Sequence, residues 1–457
     1  MLASPEFAVI PPGRLPVVVG GFVTGGRHVG VPAGERPGAG VMLGRAMMFV
    51  RFGSAGCGAS VSVWGSDGRG QLPTLGVEEE YFLVDAGDGA VREAGSRVLR
   101  RARIEVGDLV SGEFSEYQIE GKTPPCSETG ELRDHLARVR AAVARAAASE
   151  DLRVVASGTP VLGARSPVPL REDPRYAAGV EAYRGLQDGF AFCALQTHVA
   201  VPDREAAVLV SNHLRPWLPT LVAIAANSPF RAGRDSGYAS WRAVALSRWP
   251  IAGPPPFFRD ASDYDRLVGR LLDSGAALDE HNLFWDVRPC ERLSTVEIRV
   301  MDVNAGLEET VAFAVLVRGL VANALERVRR GDPGPTVEEA WLRAAYWRGA
   351  RDGWPGHGVD LDSGRIVPAA DMARRLLARA RPALAGREES AWVGTVLERL
   401  AREGGGAGRQ RSAFARARCL RDVVEDLADH TARVPALSPR TCRAVGDVPH
   451  PAGGNVT

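Results

Sequence analysis

In the stretch 74-TLGVEEEYFLVD-85 three glutamates open an apolar, β-branched and aromatic run. Side chains alternate along a strand, so if Leu75 to Val84 is extended, Glu78 and Glu80 share one face while Glu79 shares the other with Val77 and Tyr81. Two like charges on one face repel, and such a strand end either meets water or holds a cation. Three further segments repeat the pattern. In 112-GEFSEYQIEGKTPP-125, Glu116, Gln118 and Glu120 share a face, and Glu113 joins them only through a bend. In 190-FAFCALQTHVAV-201, Gln196 and His198 oppose Leu195, Thr197 and Val199. In 294-STVEIRVMDV-303, Glu297 and Arg299 oppose Val296, Ile298 and Val300. Antiparallel neighbours would bring these polar stripes together.

A sheet face gathering so many carboxylates, with one histidine and one arginine, carries too much negative charge for a dry ion-pair network. Divalent cations supply what is missing. Carboxylate oxygens suit Mg2+, an imidazole suits Mn2+ better, and Mg2+ in such sites bridges protein carboxylates to substrate phosphates. Each stripe alone has a plainer explanation: a solvated strand end, a core histidine, a cross-strand ion pair. Their recurrence in one chain points to a carboxylate-metal enzyme.

Composition narrows the partners. The 457-residue chain has 56 basic and 55 acidic residues, a formal net charge of +1, so no global field favours nucleic acid or a membrane. Lys122 is the only lysine. A bound phosphate is therefore held by arginine, backbone N–H groups, metal or that lysine. There is no Walker loop or dinucleotide fingerprint, and phosphates held by metal on a sheet need neither. The six cysteines (Cys57, Cys126, Cys193, Cys290, Cys419 and Cys442) form no C-x-x-C pair and read as free thiols in a reducing cytoplasm. No apolar run is long enough for a membrane helix and no signal peptide is expected.

Residues 1–72 are rich in Gly, Pro, Ala and Val without periodicity and read as a flexible low-complexity extension, although Met42, Met47 and Met48 leave open a downstream start. The catalytic domain is expected over 73–432, and 433–457 as a loose Pro-rich tail. Strands are expected at 152–158, 190–201 and 294–303 besides those around Glu80 and Glu120, and a long helix from Glu308 to Arg330. The run 211–230 has a helical core that stops before Asn227-Ser228-Pro229. Thr129 is expected to cap a helix carrying Leu132, Leu136 and Val139, and Thr336 with Glu339 to form a capping box. Two further helices fit 388–403 and 412–430. Strands early and helices late make the class α+β.

The strings 75-LGVEEEYFLVD-85, 120-EGKTPPC-126, 196-QTHVAV-201, 226-ANSPFRAGRDSGYASWR-242, 285-WDVRPCERLSTVEIRVMD-302 and 409-RQR-411 resemble the bacterial carboxylate-amine ligase family called glutamate-cysteine ligase type 2. The resemblance runs from Leu75 to Thr431. It implies a fold related to glutamate-cysteine ligases and, more remotely, glutamine synthetase: a curved, mostly antiparallel sheet forming a funnel, with helices packed outside and metals and ATP on the inner face. Carried over by position, Glu78, Glu80, Glu113, Glu120, His198 and Glu297 are the implied metal ligands. Arg299 and Gln196 are implied on the nucleotide side, with Arg299 and Glu297 catalytic. Arg234, Tyr238 and Arg242 are implied to bind the carboxylate substrate. Lys122 departs from the pattern; it faces inward with Glu120 or turns to solvent through a bend at Gly121, and the second is expected.

The implied chemistry is ATP-dependent ligation. A carboxylate, the γ-carboxylate of glutamate, becomes an acyl phosphate, and an amine, that of cysteine, displaces phosphate to form an amide. Mg2+ or Mn2+ neutralises the moving phosphoryl group, small amino acids are the partners, and a cytoplasmic homodimer is expected. No protein nucleophile is needed, so Cys126 and Cys193 read as core residues. The alternatives are the same ligation with another acid or amine, a metal-dependent hydrolase, and a catalytically silent binding protein. ADP formation that depends on both acid and amine separates them.

Overall fold

The computed structural model describes residues 72–434. The expectations for the N-terminal extension and the C-terminal tail fall outside that range, apart from the end residues Leu72, Arg433 and Val434. The strands are β1 (Leu75–Asp85), β2 (Val110–Gly112), β3 (Gln118–Lys122), β4 (Leu152–Val155), β5 (Ala194–Ala200), β6 (Phe230–Arg231), β7 (Arg234–Asp235), β8 (Val287–Cys290), β9 (Thr295–Asp302), β10 (His357–Asp360) and β11 (Arg365–Pro368). Seven of them form one antiparallel sheet, β2-β3-β1-β5-β9-β8 with β4 also on β1. Its outer strands β2 and β8 do not pair, so the sheet is open. β6 with β7 and β10 with β11 are separate hairpins. Mixed helix and antiparallel sheet is the α+β class expected.

One face of the sheet is apolar and meets helices. Val77, Leu195, Val199, Val296 and Ile298 pack with Val311, Val315 and Leu316 of helix Leu307–Arg329 and with Val210 and Leu214 of helix Arg204–Leu214. Each side chain of this size stabilises the fold by about 1.5–3 kcal/mol when fully buried. The other face is the polar one. Its rungs follow from register: Lys122 opposes Glu78, which opposes Gln196, and Glu120 opposes Glu80. Arg288 opposes Glu297, which opposes His198. Between β5 and β9 the pairing steps from Leu195 with Met301 to Thr197 with Ile298, one extra residue in β9. Met301 rather than Val300 thereby comes into phase with Ile298, a correction to simple alternation; bulges of this kind gather beside functional sites.

Several local expectations differ. Thr129 donates to Glu389 instead of capping its helix, which starts after Glu128 without a side-chain cap. The helix Glu339–Asp352 likewise lacks a side-chain cap, so no capping box forms at Thr336. The segment 412–430 is two helices, Gly405–Ala417 and Leu420–Ala432, divided where Arg418 takes φ 55°. Arg215-Pro216-Trp217 divides the expected single helix into Arg204–Leu214 and Leu218–Ala225.

Candidate active site

The three glutamates of β1 are all largely removed from water, each in a different way. Glu79, on the helix side, receives Arg140 Nε at 2.9 Å, Tyr81 Oη at 2.6 Å and Thr310 Oγ1 at 2.7 Å. This is a structural ion pair. Glu78 and Glu80, on the opposite face, line a cavity of about 390 Å3.

Glu80, Glu113 and Glu120 each bring a carboxylate oxygen within 4.8 Å of the other two. β2 ends at Gly112, and the turn that follows carries Glu113 to the pair. Glu80 also accepts Ala194 N at 2.8 Å and Gln196 Nε2 at 2.7 Å. Lys122 Nζ lies 3.0 Å from Glu120, so Lys122 faces inward: β3 continues through Gly121 without the bend that would have sent it to solvent. Burial pushes Glu80 well above the usual carboxylate range, with Glu113 and Glu120 adding repulsion. Burial, then Glu78 and Glu113, raises Glu120 to about 8. Two buried carboxyls and the half-buried Glu113 meet at one point, with Lys122 beside them and Arg242 and Arg299 acting from the wall, and their all-oxygen donor set fits a hard divalent cation.

Glu78 and His198 sit alongside. His198 Nδ1 lies 3.1 Å from Thr295 Oγ1, while its buried Nε2, 3.8 Å from Glu78, has no hydrogen-bond partner. Burial pulls this imidazole down, but Cys290, Glu78 and Glu297 outweigh burial and raise it to about 10. An orphaned ring nitrogen beside a carboxylate also fits a cation that accepts imidazole.

Glu297 lines the same cavity but is occupied otherwise. Arg288 Nε donates to one oxygen at 2.7 Å and Arg299 Nη1 to the other at 2.7 Å. Burial opposes ionisation there, yet the two guanidiniums hold the carboxyl well below the usual range. The fork of charges places Arg288 and Arg299 on the cavity wall. Arg288 was not singled out from the sequence because Pro289 weakens the strand reading of β8. Its signal was parity: it opposes Glu297. Cys290, also on this wall, was missed for the same reason.

Glu116 does not join the inner face. Its carboxylate accepts Ser96 N at 2.8 Å and Ser96 Oγ at 2.6 Å, at the start of helix Gly95–Val106. The segment 226–242 is organised around Asp302, which accepts Asn227 N at 2.9 Å, Ser228 Oγ at 2.7 Å and Ser240 Oγ at 3.0 Å. Arg242 lines the cavity and donates to the carbonyls of Arg299 at 2.9 Å and Val300 at 3.2 Å. Arg234 and Tyr238 lie apart from it: Arg234 is exposed in the β6–β7 hairpin, and the Tyr238 hydroxyl accepts Trp347 Nε1 at 3.1 Å. The 409-RQR-411 string supports this segment, with Gln410 on Asn227 at 2.8 Å and Arg411 on Asp235 at 2.8 Å. Cys126 and Cys193 are buried free thiols in the core.

The sequence model of glutamate-cysteine ligase family 2 matches residues 74–430. A protein assigned as glutamate–cysteine ligase 2 in Salinispora tropica is 43% identical over 365 residues, covering 79% of this chain and 96% of its own. One assigned as glutamate–cysteine ligase 2-2 in Mycolicibacterium vanbaalenii is 42% identical over 360 residues, covering 79% and 98%. Among solved structures, a glutamate–cysteine ligase of Francisella tularensis in complex with AMP superposes with a TM-score of 0.62 at 13% identity, over 81% of this chain and 91% of that one. A bifunctional glutathione synthetase of Pasteurella multocida gives 0.59 at 16% identity, over 80% and 53%. At such identities the structural likeness concerns the fold, whereas the family match rests on the sequence itself. The chain belongs to glutamate-cysteine ligase family 2 and is a carboxylate-amine ligase.

Proposed function

We propose that the protein uses ATP to activate an amino-acid carboxylate, the γ-carboxylate of glutamate, as an acyl phosphate, and transfers the acyl group to an amine, releasing ADP and phosphate. The family's name supplies glutamate as the acid and cysteine as the first candidate for the amine; the AMP complex of the Francisella structure supports a nucleotide site in this fold. The observation that carries the reading is the meeting of Glu80, Glu113 and Glu120 in a cavity also lined by Lys122, Arg288 and Arg299. Glu80, Glu113 and Glu120 would hold Mg2+, with Glu78 and His198 offering a position that also suits Mn2+. A cation there supplies charge neutralisation at the phosphate oxygens.

The protein's own part is positioning and electrostatics. Arg299, fixed by Glu297, presents a permanent positive charge toward the carboxylates, where phosphoryl charge builds up in the transition state. Gln196, held by Glu80, orients the neighbouring wall. Removing water strengthens each of these interactions.

The reading is tested by measuring ADP release with acid and amine pairs in Mg2+ and in Mn2+. ADP that requires acid, amine and divalent cation together is the expected result. ADP formed without either organic substrate would replace ligation with hydrolysis.

A further inference from the structure

Beside the carboxylate cavity lies a second one, of about 570 Å3 and opposite character. Its wall includes Trp249, Ile251, Leu271, Trp285, Val300 and Tyr346. Prolines in 249-WPIAGPPP-256 set part of the rim, and Asp286 N donates to Gly253 O at 2.8 Å, tying that rim to β8. Arg242, Leu246 and Asp286 line both cavities, so the two share a wall.

Polar groups on that wall are Arg242 and Asp286, while Ser247, Glu339, Arg343 and Tyr346 line the second cavity alone. Arg242, 3% exposed, has a buried Nε without a hydrogen-bond partner. Burial pushes the Asp286 carboxyl up to about 6, against the pull of Arg242, the Tyr346 hydroxyl and Arg299. An apolar compartment with a few convergent polar groups is how small-molecule sites are built.

We propose that the second cavity receives the side chain of the amine substrate, an amino acid with a bulky apolar side chain whose amine sits at the Asp286 wall. This rests on the ligase reading above. Three observations favour it. The volume far exceeds a cysteine side chain, and its apolar lining rewards burial of hydrocarbon at roughly 25 cal/mol per Å2. Asp286 offers an anion to the ammonium, and Arg242 Nε a donor to the α-carboxylate. The shared wall places the nitrogen next to the cavity where the acyl phosphate forms. A nucleotide base has aromatic surface of its own in the carboxylate cavity, at Phe190 and Phe284. In the step itself the ammonium loses one proton to solvent and its nitrogen attacks the acyl carbon. The carbon–oxygen bond to phosphate breaks with its electron pair, and the second nitrogen proton leaves on the phosphate.

The test is ADP release with ATP, Mg2+, glutamate and, in turn, glycine, cysteine, leucine and phenylalanine, for the native protein and for Ala252→Trp and Leu271→Trp, which narrow the second cavity. Leucine or phenylalanine is expected to exceed cysteine about tenfold or more in kcat/KM. Both variants are expected to raise the KM for the apolar amine and leave the ATP KM unchanged, with melting curves confirming the fold; if one variant melts early, the other and the native ratio decide. Use of cysteine in preference to leucine, or a raised ATP KM in the variants, overturns the inference and leaves the ligase reading standing. Release of ADP by no pair, glutamate being replaced by other acids, overturns the ligase reading and this inference with it.

Discussion

Glu79 lies on the helix side of β1, where Arg140, Tyr81 and Thr310 satisfy its oxygens, while Glu80 one residue on faces two other carboxyls across a cavity. The physics of substitution therefore differs. Glu79→Gln leaves Arg140 buried with an uncompensated charge and should cost about 3–5 kcal/mol in urea unfolding; an unchanged midpoint would contradict the ion-pair account. Glu80→Gln opens no cavity and removes like-charge repulsion, so the fold should remain while affinity for metal-ATP drops in calorimetry. Arg299→Ala should lower kcat by on the order of 100-fold with a smaller change in the ATP KM, and Arg299→Lys should restore little, because an ammonium lacks the planar fork. Near-normal kcat with a lowered melting point would return Arg299 to pairing with Glu297 alone. Titration offers a further check. Glu120 binds its proton up to about pH 8 in the metal-free fold and, unfolded, only to about pH 4.3. Above the unfolded value the folded state holds more protons, so stability falls as pH rises from about 5 to 8. Added Mg2+ should flatten that fall; a metal-free melting point that rises across this window would contradict the raised carboxyl.

β1, β3, β5 and β9 were legible at the level of side-chain parity, because each alternates charge with apolar residues and the register sets the stripes side by side. Parity failed where backbone regularity fails. Glu116 precedes β3 and turns to Ser96, and the extra residue in β9 passes the apolar face from Val300 to Met301. Lys122 obeyed parity where a bend was expected. β8 stayed hidden because Pro289 cannot donate to a ladder, and with it Arg288 and Cys290. Long-range partners such as Arg140 to Glu79, 61 residues apart, leave no local pattern at all. Gly121 shows how tightly β3 meets its covering helix: a Cβ there would lie 2.6 Å from Val139 Cγ1. Since valine is stiff at χ1, Gly121→Ala should push helix Thr129–Ala148 from the sheet and cost about 1–3 kcal/mol, with lowered activity from the neighbouring Glu120 and Lys122. Full stability in chemical denaturation would show that the helix yields freely.

At the scale of the molecule, both the family match and the open sheet with its helices lie within residues 72–434. A chain beginning at Leu72 is therefore expected to fold and to turn over ATP, and loss of soluble protein on that truncation would refute it. Everything then rests on the polar face joining two chemistries, phosphoryl transfer to a carboxylate and acyl transfer to an amine. The most direct measurement uses the acid substrate labelled with 18O in its reacting carboxylate, with the released inorganic phosphate read by 31P NMR. An acyl phosphate requires one labelled oxygen to leave in the phosphate as the amide forms, and that isotope shift is the predicted result. Phosphate free of 18O during turnover that requires both acid and amine would contradict the account.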